Sequence, residues 1–220
     1  MDNKMIFIND SISRHTGKME GVRSISTSAL ANPSCIARRE DKNAICANCY
    51  ACKYLKLRKT LREKCARNSI FYTTEHLQKE DIPRLNDKIF RFEAFGELEN
   101  VTQLANYNNI AWYNPDTIFT LWSKRPDIIE RFYTSEVRAY NFNIILSSRF
   151  INQSDYKYYL DNYGRGFFDG VFTVYTKEHA EAHNIPINGR SGRGACNNCR
   201  LCYMERDHDR EPFEINELIK

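Results

Sequence analysis

Short apolar segments alternate with longer amphipathic segments along this chain. Segments rich in Ile, Val, Phe, Thr and Tyr predict strands, and apolar residues spaced three and four positions apart predict helices. The predicted strands are 5–8, 22–27, 89–95, 117–122, 142–147 and 171–175. The predicted helices between them are 51–71, 100–111, 126–137 and 154–163.

This alternation predicts the fold class. Strands separated by helical stretches are typical of β-α-β units in a mainly parallel sheet. Fewer units fit than a closed TIM barrel contains, so we predict an α/β fold built as an open or partial (β/α) barrel of about five to six mainly parallel strands. We expect a barrel domain over 1–187, with an N-terminal cysteine loop, and a C-terminal cysteine-rich segment with an acidic tail over 188–220.

The composition fits a protein that folds without disulfide bonds. With 220 residues and a mass of 25.9 kDa, the chain is long enough to bury a sizeable core. Its start has no basic region followed by a long apolar stretch, and no window approaches the ~18 consecutive apolar residues of a membrane span. We therefore expect a cytoplasmic protein with no membrane contact, whose thiols stay reduced.

The cysteines carry the strongest chemical signal. Six of the eight form two CxxCxxC triplets, which are Cys46, Cys49, Cys52 and Cys196, Cys199, Cys202. Three thiolates at this spacing can bind three corners of one cubane cluster, whereas a tetrahedral zinc ion has no use for the third cysteine of each unit. The spacing favours one or two 4Fe-4S clusters, and zinc stays open as the alternative.

The two remaining cysteines differ in their surroundings. Cys65 falls on an apolar stripe with Tyr54, Leu57 and Leu61 at helical spacing, which predicts a core residue. Cys35 lies in a predicted loop upstream of the first triplet, and this position favours a ligand. The predicted metal ligands are therefore Cys35, Cys46, Cys49, Cys52, Cys196, Cys199 and Cys202.

Polar residues follow several of the predicted strands. The carboxyl ends of parallel strands meet at one edge of a sheet, where α/β proteins collect their chemistry. Each residue alone is ordinary turn chemistry, but their shared place predicts the rim of one site. The candidates are Gly96, Glu97, Ser123, Lys124, Arg125, Ser147, Ser148, Arg149 and Lys177.

Positive charge is concentrated in the predicted helix over 53–67. The formal net charge of the chain is +4, which is small for a nucleic-acid-binding domain. The segment KYLKLRKTLREKCAR nevertheless has seven basic residues against one acid. A solvated helix face is the simpler interpretation, and a site for an electron-transfer partner or for an anionic or nucleic-acid ligand is the alternative.

The segment PSCIARREDKNAICANCYA resembles the cluster loop of radical S-adenosylmethionine enzymes, whose three cysteines follow the first barrel strand. More closely, the chain resembles a phage-encoded family known only by its gene-product number, eighty-eight. The likeness lies in the CxxCYA segment and in the C-terminal CxxCxxC that ends in an aromatic residue, here Tyr203. It spans residues 22–203.

The resemblance to radical enzymes implies a set of roles. Cys35, Cys46 and Cys49 would hold a 4Fe-4S cluster whose open iron binds S-adenosylmethionine. Glu97 would take the place of the acid that meets the amino group of this cofactor. Tyr50 of the CxxCYA segment would belong to the cofactor-binding site.

Three functions follow from these patterns. The first is an iron-sulfur protein of viral type, working in the host cytoplasm, whose cluster is structural or carries electrons. A fourth thiolate from Cys52 would close the cluster and favour this first function. The second is an active radical S-adenosylmethionine enzyme of unknown substrate. The third is a zinc-stabilised nucleic-acid-binding protein that uses the basic helix.

Overall fold

The computed structural model describes residues 3–205 and 211–219, with side chains from residue 7 onward. Seven strands form a single sheet in this part of the chain. They are β1 (Ser13–Arg14), β2 (Arg23–Ile25), β3 (Ile89–Phe92), β4 (Ile118–Ser123), β5 (Phe142–Ser147), β6 (Gly170–Tyr175) and β7 (Phe213–Leu218). The α-helices are α1 (Asn3–Ser11), α2 (Pro33–Glu40), α3 (Tyr50–Leu57), α4 (Lys59–Thr74), α5 (Val101–Trp112), α6 (Pro126–Tyr133), α7 (Tyr156–Tyr163), α8 (Lys177–Ala182) and α9 (Ala195–Cys199).

The sheet keeps its strands in chain order, with each strand beside the one that precedes it. β2 to β7 are parallel, and β1 pairs antiparallel with β2 at the edge. The predicted α/β class with a mainly parallel sheet is confirmed. Among the described residues the sheet is open, because β1 and β7 lie at opposite edges, and the predicted barrel of five to six strands is not confirmed.

Helices α4 to α7 cover one face of the sheet. Phe92 of β3 stacks on Tyr107 of α5 with ring centroids 4.2 Å apart, and Ile129 of α6 and Tyr159 of α7 belong to the same apolar cluster. Strands in sequential order require crossovers that all step in one direction. Right-handed crossovers then place the helices on the same side.

The opposite face carries the C-terminal part of the chain. Ile89 of β3 points to this face and packs in a cluster with Tyr203. The Thr120 hydroxyl of β4 donates to the Cys202 carbonyl oxygen at 2.7 Å, and the Asn143 side chain of β5 donates to the same oxygen at 3.1 Å. The second triplet is therefore bound to the face of the sheet that these helices leave open.

Two element predictions fail at the ends of the chain. The predicted strand over 5–8 is wrong, because this segment belongs to α1, where Ile8 packs in the main core. A short apolar run does not distinguish a strand from one side of a helix. The sequence interpretation also missed β7, which lies in the stretch interpreted as an acidic tail; residues 206–210 of that tail lie outside the described residues.

The predicted helix over 51–71 is two helices, α3 and α4, which are separated at Arg58, where the backbone is extended (φ −115°, ψ 95°). The predicted apolar stripe is also wrong, since Leu57 is 74% exposed and Leu55 is fully buried. A straight helix would put Arg58 on the stripe that joins Leu55 to Cys65. The break between α3 and α4 keeps the Arg58 guanidinium exposed to solvent.

A buried carboxylate joins the carboxyl ends of β2 and β3 to α5. Glu93 follows β3 with a left-handed backbone (φ 59°) and is 3% exposed. It accepts hydrogen bonds from the Thr27 amide (3.1 Å), the Thr27 hydroxyl (3.1 Å), Gln103 Nε2 (2.7 Å) and the Tyr107 hydroxyl. Burial raises the pKa of Glu93 to about 7, against the hydrogen bonds from Tyr107 and Thr27, which favour the ionised form.

We predict that Gly96→Ala lowers the free energy of unfolding by about 2 kcal/mol. The new Cβ would meet Glu93 Oε2 and lie 2.6 Å from the Thr27 carbonyl oxygen. The Glu93 carboxylate and the Thr27 backbone are held in place by the hydrogen bonds between Glu93 and the Thr27 amide and hydroxyl. Urea denaturation measures the change, and Gly166→Ala, whose Cβ has nothing within 4 Å, is the control. Equal effects of the two substitutions would contradict this account.

The buried carboxylate also predicts a pH dependence. Folding raises the pKa of Glu93 from 4.5 to about 7, so the folded protein binds this proton more tightly and the free energy of unfolding falls as pH rises through this range. The slope is at most about 1.4 kcal/mol per pH unit. In Glu93→Gln this part of the slope disappears, which urea denaturation of both proteins at several pH values measures. Parallel curves for the two proteins would show that Glu93 does not titrate there.

Candidate metal-binding cleft

A cleft of about 1240 Å³ lies on the face of the sheet opposite the helices, and cysteines from both ends of the chain line it. We call Cys35, Cys46 and Cys49 the first cysteine group. We call Cys196, Cys199 and Cys202 the second cysteine group. The structure thus brings all the predicted ligands to one cleft except Cys52, which does not line it.

Cys35 belongs to the first turn of α2, and its prediction as a loop residue is wrong. Asn32 caps this helix, since its side-chain oxygen accepts from the amides of Ser34 (2.9 Å) and Cys35 (3.2 Å). Pro33 occupies the first helical position, where its fixed φ favours helix initiation. The Asn32 side-chain nitrogen donates to the Glu97 carbonyl oxygen at 3.1 Å. One side chain therefore fixes Cys35 relative to the segment after β3.

Cys46 and Cys49 belong to the loop that leads into α3. Cys46 lies in a short turn over Ile45–Asn48, and Cys49 immediately precedes α3. The Ile45 amide donates to the Arg149 carbonyl oxygen at 2.9 Å. This hydrogen bond ties the loop to the segment after β5, so that the loop is held at the carboxyl ends of the strands.

The thiols of the first cysteine group lie within range of one another's charge. Burial raises the pKa of Cys35 above its usual value, and Glu97, Cys46 and Cys49 raise it further. Burial also raises the pKa of Cys46, against the opposing charge of Lys124. If the three thiols of the first cysteine group ionised together, their thiolates would need additional positive charge nearby, which a bound metal centre would supply.

Cys52 and Cys65 belong to an apolar cluster with Leu55, against which Cys35 and Cys49 pack, and neither Cys52 nor Cys65 lines the cleft. The buried sulfur of Cys52 accepts from Arg39 Nη1 at 2.9 Å. Burial and the neighbouring Cys49 raise the pKa of Cys52 to about 11, against the charge of Arg39. Cys65 is 1% exposed, and its prediction as a core residue is confirmed. A role for Cys52 as a fourth ligand stays a prediction.

The second cysteine group lies on and around the short helix α9. This helix lies between Gly194 and Arg200, which both have left-handed backbones (φ 67° and 52°). The Gly194 amide donates to the Gly17 carbonyl oxygen at 2.8 Å. Burial raises the pKa of Cys202 to about 12; Arg91 lowers it, and the other two thiols of the group raise it. The three sulfurs of this group also lie within range of one another's charge.

Tyr50 lies near both cysteine groups. Its ring is exposed and lines the cleft, while its hydroxyl donates to the Ala94 carbonyl oxygen at 2.6 Å. Burial of the hydroxyl raises the pKa of Tyr50; Arg91 opposes this shift, and Cys49 and Cys196 add to it. Its predicted role in cofactor binding stays a prediction.

Glu97 lines the cleft beside the first cysteine group and is 5% exposed. Its carboxylate accepts from the Ser123 hydroxyl (2.6 Å), the Lys124 amide (2.7 Å) and the Leu98 amide (2.9 Å), and Arg38 Nη1 lies 3.7 Å away. These partners fix its orientation, and an ionised carboxylate can accept a further hydrogen bond. Its predicted contact with the amino group of S-adenosylmethionine stays a prediction.

The predicted rim residues fall into two sets. Gly96, Glu97, Lys124 and Ser147 line the cleft, and Ser123 supports Glu97 from behind. For the remaining four candidates the prediction of one shared rim is wrong, because their side chains do not line the cleft and instead contact neighbouring side chains. These pairs are Arg125 with Asp127, Ser148 with Thr173, Arg149 with Asp155 and Lys177 with Glu181.

Arg91 and Trp122 are among the cleft residues that the sequence interpretation missed. They point from β3 and β4 to the face opposite the helices, with the Arg91 guanidinium carbon 4.3 Å from the Trp122 ring centroid. The alternation within β3 contained the signal. Since Phe90 and Phe92 face the helices, Arg91 has to face the other side.

The basic segment over 53–67 borders the cleft at Arg58, Lys59 and Lys64. The Arg58 guanidinium carbon lies 4.9 Å from the ring centroid of Tyr54. A partner or an anionic ligand at this segment stays a prediction. No helix in the described part of the chain combines the length and the apolar character needed to cross a membrane.

The thiols do not form a compact single-ion site. Among residues 3–205 and 211–219, no three His, Cys, Asp or Glu side chains are arranged so that they could hold one metal ion. A zinc ion draws its thiolates to about 2.3 Å from one centre. A cubane binds each thiolate through a different iron and therefore accepts a wider spacing.

Comparison with known proteins identifies a family. No curated protein matches the chain, and no solved structure matches it. The family model described as Gene product 88 matches residues 12–211, a range that includes both cysteine groups. The predicted family resemblance is confirmed, while a relation to radical S-adenosylmethionine enzymes stays a prediction. The chain belongs to the Gene product 88 family.

Proposed function

We propose that this chain is an iron-sulfur protein that binds 4Fe-4S clusters in the cleft, where they are structural or carry electrons. The observation that carries the proposal is the meeting of the two cysteine groups, which come from opposite ends of the chain, on one face of the sheet. Unrelated thiols have no reason to converge in this way in a protein whose disulfide-free core is already large.

The donor set fits a cluster. In each group the neighbouring thiols raise the pKa of one member, and all three thiols line the same cleft. Burial opposes the thiolate form in both groups, and iron would supply the missing positive charge. Each group supplies three thiols to the cleft, so the proposal assigns one cluster to each group.

The zinc alternative has less support. A closed zinc site would have to draw Cys46 and Cys49 of the first group and Cys196 and Cys199 of the second around one ion. The described side chains also lack a compact arrangement for a single ion. A cluster works in a reducing compartment, so we place the protein in the cytoplasm, or in the host cytoplasm if the chain is viral.

The proposal predicts the iron content of the anaerobically reconstituted protein. Two 4Fe-4S clusters require about eight irons and about eight acid-labile sulfides per chain. Cys49→Ala and Cys199→Ala should each lose about half of this iron, because each removes a ligand from one group. Cys65→Ala is the matched control, since Cys65 is buried in the core, and it should keep all the iron at a cost of ~1 kcal/mol in stability.

Two results would overturn the proposal. One is a colourless protein that binds stoichiometric zinc and no iron, which would favour the zinc-stabilised nucleic-acid binder. The other is equal iron loss in Cys49→Ala, Cys199→Ala and Cys65→Ala, because general unfolding would then explain the loss.

A second candidate function is an active radical S-adenosylmethionine enzyme. The observation that favours it is the position of Cys52, which packs against Leu55 and binds Arg39 and does not line the cleft. Three thiols then face the cleft beside Glu97. A cluster with three protein ligands keeps one iron open, and in the radical enzymes that the chain resembles this iron binds the cofactor.

Cleavage of S-adenosylmethionine tests this candidate. If the first cysteine group holds an open cluster, the reduced protein should cleave S-adenosylmethionine, and Cys52→Ala should keep both its iron and its cleavage activity. A fully loaded and reducible protein that shows no cleavage would contradict the enzyme and leave the iron-sulfur protein standing. Loss of iron in Cys52→Ala, with the fold intact, would show that Cys52 is a cluster ligand.

A further inference from the structure

Arg91 carries a charge without a carboxylate partner in the described part of the chain. It projects from β3 into the cleft and is only partly exposed. Its Nη1 donates to the weak acceptor Met19 Sδ at 3.8 Å, and its Nε is covered and has no hydrogen-bond partner. Two other cations of the cleft have carboxylate partners, since Lys18 is paired with Glu217 and Arg38 lies 3.7 Å from Glu97. A partly buried guanidinium with an unused donor favours a nearby anion.

Trp122 adds a second unused donor. It lies on β4, the strand next to β3, and points to the same face of the sheet. Its Nε1 is covered and has no hydrogen-bond partner among the described residues. The Arg91 guanidinium carbon lies 4.3 Å from the Trp122 ring centroid, and this stacking holds the two side chains together. Two unused donors on adjacent strands indicate one acceptor in front of them.

The second cysteine group lies in front of these donors. Thr120, which lies opposite Arg91 in the pairing of β3 with β4, donates to the Cys202 carbonyl oxygen at 2.7 Å. Cys196, Cys202 and Met19, the residue that Arg91 contacts, all pack against the cluster that contains Tyr203. Three thiolates on a 4Fe-4S core give the centre a net negative charge, and its sulfurs accept hydrogen bonds. The charge and the acceptors both match the two donors.

We propose that Arg91 and Trp122 form an anion subsite, and that its occupant is the negatively charged iron-sulfur centre of the second cysteine group. The inference rests on the proposed function. Neither side chain ligates iron, so both are positioning residues that act through charge and hydrogen bonding to the centre. Positive charge and donors beside a cluster favour the reduced form, which carries one more negative charge.

The test is a redox titration of the reconstituted full chain, followed by electron paramagnetic resonance. Arg91→Met should make the second centre harder to reduce, by at least tenfold in the equilibrium constant, or about 59 mV for one electron. Arg58→Met is the matched control, because it removes the same charge from an exposed position on the same cleft. It should leave the potential nearly unchanged.

Two further variants separate charge from hydrogen bonding and guard against misfolding. Arg91→Lys keeps the charge and should recover most of the lost potential. Trp122→Phe keeps the ring and removes the Nε1 donor, so it should shift the potential in the same direction as Arg91→Met but by less. Iron content and circular dichroism of each variant show that the site is intact.

The outcomes distinguish this inference from the proposed function. If the wild type binds no iron-sulfur cluster, both fail. If all variants keep full iron and Arg91→Met titrates like Arg58→Met, the subsite inference fails while the iron-sulfur protein stands. If inorganic phosphate instead stabilises the wild type against heat and fails to stabilise Arg91→Met, the occupant is a free anion, which also overturns the inference.

Discussion

The order of the strands decides which face of this sheet is free to carry a site. Because β2 to β7 follow one another in sequence, the crossover helices α4 to α7 pack on one side. The other side would expose Arg91, Thr120 and Asn143 to water if nothing covered it. The C-terminal segment covers it, and its backbone takes the hydrogen bonds that Thr120 and Asn143 offer. The meeting of the two cysteine groups is a consequence of this arrangement.

Charge balance is the second constraint on the cleft. Its thiols are disfavoured as thiolates by burial and by one another, and Arg91 has no acid to pair with among the described residues. The thiolates need positive charge, Arg91 lacks a negative partner in the described part of the chain, and both the thiols and Arg91 line the same cleft. The proposed metal-thiolate centre would resolve both imbalances of charge, since its iron would neutralise the thiolates of each group and its net negative charge would match Arg91.

Sequence periodicity predicts the central strands of the sheet. It does not predict the helix α2 or the edge strand β7, which also border the cleft. The strands β3 to β6 could be predicted because their apolar runs are bounded by polar turns. Pro33 and Ser34 are as typical of a loop as of a helix start, so the sequence alone did not predict the helix that carries Cys35, although Asn32 and Pro33 cap and begin it. β7 was missed because its acidic residues outweighed the alternation around Ile215. The meeting of the two cysteine groups does not follow from sequence spacing, since the second group is held on the sheet by tertiary hydrogen bonds from Thr120 and Asn143.

The central claim is that the two cysteine groups hold separate clusters in one cleft. Electron paramagnetic resonance of the fully loaded, reduced protein tests this most directly, because two paramagnetic clusters in one cleft interact magnetically. We expect a split or broadened spectrum in the wild type that becomes a simple single-cluster spectrum in Cys49→Ala and in Cys199→Ala. A wild-type spectrum equal to the sum of two independent clusters, or the absence of any cluster signal, would contradict the account.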